Sequence, residues 1–555
     1  MRFPHLVATG AALFVGQATS QNDTAATFDA REATIPLVHH ALLSGQTSFV
    51  GVVSAFLARI PVLNPQINAI IALDPTSLSV AQDLDSRLGN LNYTLPPLFC
   101  IPILLKDNFD TANLPTTGGS LRLADSRPSA DAPVVKAFKD AGAIILGKTN
   151  LHELALEGIS ASSLGGQTIN PYDPTRTPGG SSGGTGAAIA ASLAVFGTGS
   201  DTVNSLRSPA SANSLVSIRP SRGLVTRTGI MPNSYTQDTI GPIGRNVEDI
   251  ATALTVMKNI GYDPLDNATA LVPPSIRNID YTSNLKTASL QNKRIGILSG
   301  FYNLTSSPAT NPVNTAMSRV HTSLLSAGAS LIPIPSTLYN TTALLTSVDV
   351  QQFEFREVMD AYLSSPSLGG VHPQSLTELY SPPPANANDY LVLPSQYAYV
   401  RTALRSSTGN ATYADALQRI ANLTLALHQT FAELELDAII YPEQRNLVVP
   451  LGSASQAGRN GILAAVTGFP VVAMPAGFSE ATETAPVGVP VGFEMLGRLW
   501  GEEELLRMAW SVERRMRVRR APRGAEVRVG YEGVRGVPEV RKGEGRGEYP
   551  LGTLG

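Results

Sequence analysis

Cysteine is almost missing from this chain: Cys100 stands alone in 555 residues. That excludes an intrachain disulfide framework and any metal cluster built on cysteine. A strong charge bias is missing too. With 41 basic and 44 acidic side chains the net charge is −3, too small to argue for nucleic acid or an anionic membrane as partner. No internal repeat is present, and no Pro/Ser-rich boundary divides the chain before its C-terminus. The apolar run Leu6 to Gly16 falls short of the roughly 20 residues that a membrane span requires. What remains is a large globular protein whose length suggests about three or four domains.

The first twenty residues read as a secretion signal. Arg2 gives a positive start, Leu6 to Gly16 an apolar core, and Ala18-Thr19-Ser20 a small-residue cleavage site before Gln21. Seven Asn-x-Ser/Thr sequons, at Asn22, Asn92, Asn267, Asn303, Asn340, Asn410 and Asn422, suit a secreted glycoprotein. In a chain this rich in serine and threonine several arise by chance.

The chemistry concentrates between Thr177 and Pro220. Gly179-Gly180-Ser181-Ser182-Gly183-Gly184 alone would read as a flexible linker. A linker needs polar, mobile flanks, whereas Ala187 to Phe196 is apolar and long enough for a buried helix. A tight glycine turn feeding such a helix lets the backbone approach a ligand and aims free N–H groups at negative charge. The segment then continues as Gly199-Ser200-Asp201-Thr202-Val203-Asn204-Ser205, followed by Leu206-Arg207.

This pattern resembles the amidase signature family, hydrolases that work with two serines and a lysine. The resemblance implies that Ser181, in a cis peptide bond, relays protons and that Ser205 is the nucleophile. It places the lysine at Lys106, in Lys106-Asp107-Asn108 after the apolar run 101–105. That run reads as a buried strand delivering the lysine at its end. Cys100 reads as packing, and Lys148 and His152 are set aside as bystanders. Further stretches resemble the family: Thr116 to Ser120, Gly147 to Asn150, Gly223 to Gly229, Gln237 to Pro242, Gly468 to Gly477 and Gly488 to Arg498. The likeness spans roughly residues 30–516. It implies an α/β fold, a single large domain with a mixed β-sheet sandwiched between helical layers. Alternating strand and helix patterns support the same class independently.

Local signals place particular elements. Asp131 is expected to cap a helix that starts at Pro133 and ends at Gly142, before a strand at 143–146. Asn246 caps another helix, residues 293–298 form a strand, and Tyr413 to Leu434 and Glu502 to Met516 are long helices. The expected organisation is a signal peptide at 1–20, a catalytic domain at 21–516, and a charged, glycine-rich, disordered tail at 517–555.

A serine hydroxyl needs a base within hydrogen-bond reach, and the signature holds no histidine. Lysine can serve only when neutral, which means lowering its reference pKa of about 10.4 by roughly 3 units through burial. Neutral Lys106 is therefore expected to take a proton through Ser181 from Ser205, with the backbone at Thr202, Val203 and Asn204 holding the oxyanion. Most members of the family carry glycines at 203 and 204. The expectation is that the loop keeps ordinary φ values here, that Val203 narrows the pocket, and that Asn204 adds a polar contact. No metal or cofactor is required; the partner is a small-molecule amide, and a homodimer is left open. Rival readings are a glutaminase subunit of an amidotransferase, an esterase, and a non-catalytic binding protein on the same fold.

Overall fold

Eleven short runs, most of them apolar, form one mixed sheet in the computed structural model, which describes residues 28–87, 95–334, 337–381 and 394–540. In chain order the strands are β1 Ile70–Leu73, β2 Pro102–Lys106, β3 Ile144–Thr149, β4 Phe196–Asp201, β5 Val216–Arg219, β6 Thr239–Gly244, β7 Arg294–Leu298, β8 Ser330–Ile334, β9 Ala438–Pro442, β10 Val471–Phe478 and β11 Pro490–Leu496. Across the sheet the order is β1-β3-β2-β4-β6-β5-β10-β11-β9-β7-β8. β2 runs parallel to both β3 and β4, while β6, β5, β10 and β11 alternate antiparallel. Every residue of β2, β3, β4 and β5 is buried, which is why those runs lack an apolar–polar alternation.

Helices cover the sheet, as the single α/β domain expected from sequence. Asn311–Ser326 and Glu502–Met516 pack on β10, and Val247–Lys258 packs on β6. Asn246 caps the last of these, its side chain accepting from the Asp249 amide. Phe49–Ile67 is apolar and long enough to cross a membrane. Here Val52, Val53, Phe56 and Leu57 bury it in the core.

Several expectations need correction. Asp131 does not cap helix Pro133–Asp140: Ala132 is the cap residue, and Asp131 accepts from the Ala112 amide and pairs with Lys139. The apolar stretch from Ala187 does not stay helical to Phe196. The helix is Gly183–Ala190, and the chain turns at Ser192, which has positive φ, to enter β4. The tail is structured from 517 to 540. Arg59, 2% exposed, donates to the carbonyls of Ala525 and Val527 at 2.7 and 2.8 Å, Arg519 pairs with Glu32, and the Phe28 amide donates to the Tyr531 hydroxyl. Ala525 is buried in the core and Tyr531, Val534, Val537 and Val540 pack against it, an apolar set thinly spread among Arg, Gly and Glu. The signal segment, the sequons at Asn22 and Asn92, and residues 541–555 lie outside the described residues.

Candidate active site

Lys106 is the last residue of β2, and its amide donates to the Thr198 hydroxyl of neighbouring β4 at 3.1 Å. Its side chain is fully buried, so the charged form loses its hydration. Burial pulls its pKa from the ordinary lysine value to about 7, against the opposing pull of Asp201 and Asp238. The amine meets two hydroxyls, Ser181 Oγ at 2.7 Å and Ser200 Oγ at 2.9 Å. Asn108 donates to the same Ser200 oxygen at 2.9 Å.

Ser181 enters through the glycine turn, and the Gly180–Ser181 peptide is cis. The turn tolerates no side chain at two points. Gly179 has φ +71° and a Cβ there would lie 2.8 Å from the Ser208 carbonyl oxygen, while one on Gly184 would lie 2.2 Å from that of Asn150. The Ser181 carbonyl accepts from the His152 amide, and the Ser182 amide donates to the Ser205 carbonyl at 3.3 Å. The two serine segments therefore run side by side. Ser205 is 7% exposed.

The loop between β4 and Ser205 is tied from several directions. Thr202 Oγ1 donates to Asp238 at 2.6 Å, and Gln237 donates to the Thr202 carbonyl. Asp201 accepts from the Leu206 amide and from Arg207 and Arg219. Burial alone would raise that carboxyl, but the two guanidinium groups outweigh it and hold it at about 2. Arg207 also bridges to Glu494 at 2.9 Å and donates to the carbonyls of Val203 and Gly461. The backbone N–H groups of Thr202, Val203, Asn204 and Ser205 have no hydrogen-bond acceptor among the described residues. Neither Val203 nor Asn204 has positive φ, as expected.

The Val203 side chain does differ from expectation. Val203 belongs to a buried apolar cluster with Leu298, Phe301, Tyr441 and Ile462, where it fills core rather than a pocket. Asn204 donates to buried Glu443 at 3.3 Å. Neither partner was legible: Ser200 is one more small polar residue in a glycine-rich run, and Glu443 is a lone acid after a strand.

Gly142 to Thr149 satisfy the Gly-x-x-x-x-Gly-Lys-Thr spacing of a phosphate loop, yet Ile144–Thr149 is a buried strand. Lys148 donates to the carbonyls of Phe109 and Pro115 and pairs with Asp107, leaving nothing for a phosphate. His152 is fully buried, and burial draws its pKa down to about 4. Cys100 lies in the core with its thiol pushed well up by burial. No cluster of metal-ligating side chains occurs among the described residues. A cavity of about 540 Å³ reaches Ser200 and Thr202, walled by Ile230, Met231, Val358 and Tyr362.

Comparison with known proteins gives a consistent result. The family model described as Amidase matches residues 51–506. An Arabidopsis thaliana protein named "Probable amidase" is 30% identical over 92% of this chain and 94% of its own length. A glutamyl-tRNA(Gln) amidotransferase subunit from Vitis vinifera is 29% identical over 91% of this chain and 92% of its own length. Among solved structures, the peptide amidase of Stenotrophomonas maltophilia is similar with TM-score 0.77 and 33% identity, over 88% of this chain and 98% of the other.

Proposed function

The chain belongs to the amidase family, whose members hydrolyse amides, and on that premise we propose that it cleaves a carboxylic amide through an acyl-enzyme on Ser205. The observation that carries this reading is the contact between a fully buried lysine, its amine held at about 7, and a serine hydroxyl 2.7 Å away. Near neutral pH a useful fraction of that amine is unprotonated, and it then accepts the Ser181 hydroxyl proton. Ser181 in turn takes the proton of Ser205, whose oxygen bonds to the amide carbon as the C=O π pair moves onto oxygen. The uncommitted amides of 202–205 receive that oxyanion. On collapse the C–N bond breaks and the nitrogen takes the proton back from Ser181, which the Lys106 ammonium replenishes. Water then repeats the relay on the ester, releasing the acid and restoring Ser205.

The test is a panel of aliphatic, aryl and peptide amides, with mass spectrometry of the trapped enzyme. The acyl group is expected on Ser205, and Ser205→Ala is expected to lose turnover by more than about a thousandfold while staying folded. An adduct on Ser182, or turnover by the alanine variant, sinks the assignment. Matched ester and amide substrates decide the esterase alternative.

Likeness to amidotransferase subunits supports a second reading, a glutaminase half that needs a partner. Co-purification with a second subunit, and glutamine hydrolysis dependent on it, would favour that one. For location we propose export, with the mature chain starting near Gln21. Asn267, Asn340, Asn410 and Asn422 are exposed and Asn303 is half-buried, positions open to glycosylation. N-terminal sequencing and glycan mass of the native protein check this; an intact Met1 on unglycosylated protein refutes it.

A further inference from the structure

Asn204 directly precedes Ser205, at a position where glycine would leave the loop freer to move. Its side chain turns into the protein. It is 1% exposed, and its Nδ2 donates to Glu443 Oε1 at 3.3 Å. Glu443 follows β9 and is fully buried, and its second oxygen has no partner. The groups that face it are Glu494, Asp201, Arg207 and the Tyr441 phenol. Arg207 is the one cation among them, and it is already spent on both oxygens of Glu494, both of Asp201, and the carbonyls of Val203 and Gly461. Glu443 is left with a carboxamide N–H and no cation of its own.

We infer that Asn204 is a positioning residue, which through Glu443 fixes the backbone from Thr202 to Ser205 and so the aim of its uncommitted amides. The inference rests on reading Ser205 as the nucleophile. Thr202 is held by Asp238 and Gln237, and the Val203 carbonyl by Arg207. The Asn204–Glu443 bond is the remaining side-chain tie, and it acts on the residue next to the attacking oxygen. Oxyanion donors work because they are preorganised, so a loop that drifts loses rate more than substrate affinity.

A neutral Glu443 accepts this bond without adding a third carboxylate to the cluster. Burial, reinforced by Glu494, pushes this carboxyl up to about 8, against Arg207 and the Asn204 hydrogen bond. Ionisation above that pH strengthens the Asn204 bond itself but puts a carboxylate with no cation of its own beside Glu494 and Asp201, and their repulsion displaces Glu443 and the loop tied to it. Turnover should therefore rise near pH 7 with the freeing of Lys106 and fall again above about 8.

The experiment compares kcat and KM from pH 6 to 10 for the full chain and for Glu443→Gln, Asn204→Gly, Asn204→Ala and Ser205→Ala on one small amide. Glutamine keeps the acceptor and cannot ionise, so Glu443→Gln should retain kcat at neutral pH within about threefold and lose the alkaline decline. The two Asn204 variants should lose about tenfold in kcat with KM changed by less than about twofold. An alkaline decline that persists in Glu443→Gln, or wild-type kcat in both Asn204 variants, overturns the anchor. Turnover by Ser205→Ala overturns the catalytic reading and the anchor with it. An inactive Ser205→Ala beside an unchanged Glu443→Gln profile overturns the anchor alone.

Discussion

In the proposed relay, Lys106 makes opposite demands on stability and on catalysis. An unfolded chain keeps a lysine protonated up to about pH 10.4. The folded one releases that proton near 7, because burial penalises the ammonium. Between those values the folded state binds fewer protons than the unfolded, so this group makes stability fall as pH drops from 10 to 7 and levels off below. Under acid conditions, the buried ammonium carries its full penalty. Lys106→Met should therefore abolish turnover yet melt higher than the wild type at pH 6, and it should lack the rise in stability between 7 and 10; calorimetry against pH checks this. Ser200 makes a milder prediction. Its oxygen accepts from the Lys106 amine, which favours the charged form. Ser200→Ala should move the acid limb of the rate profile below 7 and lower kcat by about tenfold, with KM little altered. A limb that stays in place removes Ser200 from the relay's support.

Among the elements, the loop from Asp201 to Arg207 is stiffened by charges that water does not reach. Asp201, Arg207, Arg219 and Glu494 are all buried, and each has a counter-charge. Removing one member of such a set leaves uncompensated charge, typically a loss of about 3–5 kcal/mol. Arg207→Met should lose that much in denaturant unfolding; a loss below about 1 kcal/mol would mean that the network reorganises freely. How far sequence foretold these elements varies with the kind of signal. The run ending at Lys106 and the amphipathic helix Glu502–Met516 were legible because burial writes itself into local apolar pattern. The contact of Lys106 with Ser181 was foreseen by family likeness, not by spacing, since the chain brings the two together across 75 positions. Glu443 was not, because its partner lies 239 residues away and one acid leaves no periodic trace. Asp131 misled for a related reason: a capping residue was in place, but the Ala112 amide and Lys139 compete for it.

At the scale of the whole molecule, the region after Met516 completes the core. Arg59 takes four carbonyls, Ser192 and Ala191 from the signature region and Ala525 and Val527 from the tail. Deleting residues 517–555 leaves that guanidinium half satisfied, at about 1.5–3 kcal/mol for each charge-assisted bond lost. The truncated protein should thus unfold at least ~3 kcal/mol more easily, and a wild-type unfolding midpoint would contradict this.

The hydrogen bond from the Phe28 amide to the Tyr531 hydroxyl carries a topological consequence. Two points 503 residues apart in sequence lie within the reach of one side chain, so over this span the path nearly closes into a ring. A few residues at about 3.3–3.6 Å each would bridge such a gap. Which residue comes first is then a matter of convention rather than of architecture. A circular permutant that joins 531 to 28 by a short Gly/Ser link, and opens at the exposed turn of Leu304 to Ser306, should fold and retain its turnover.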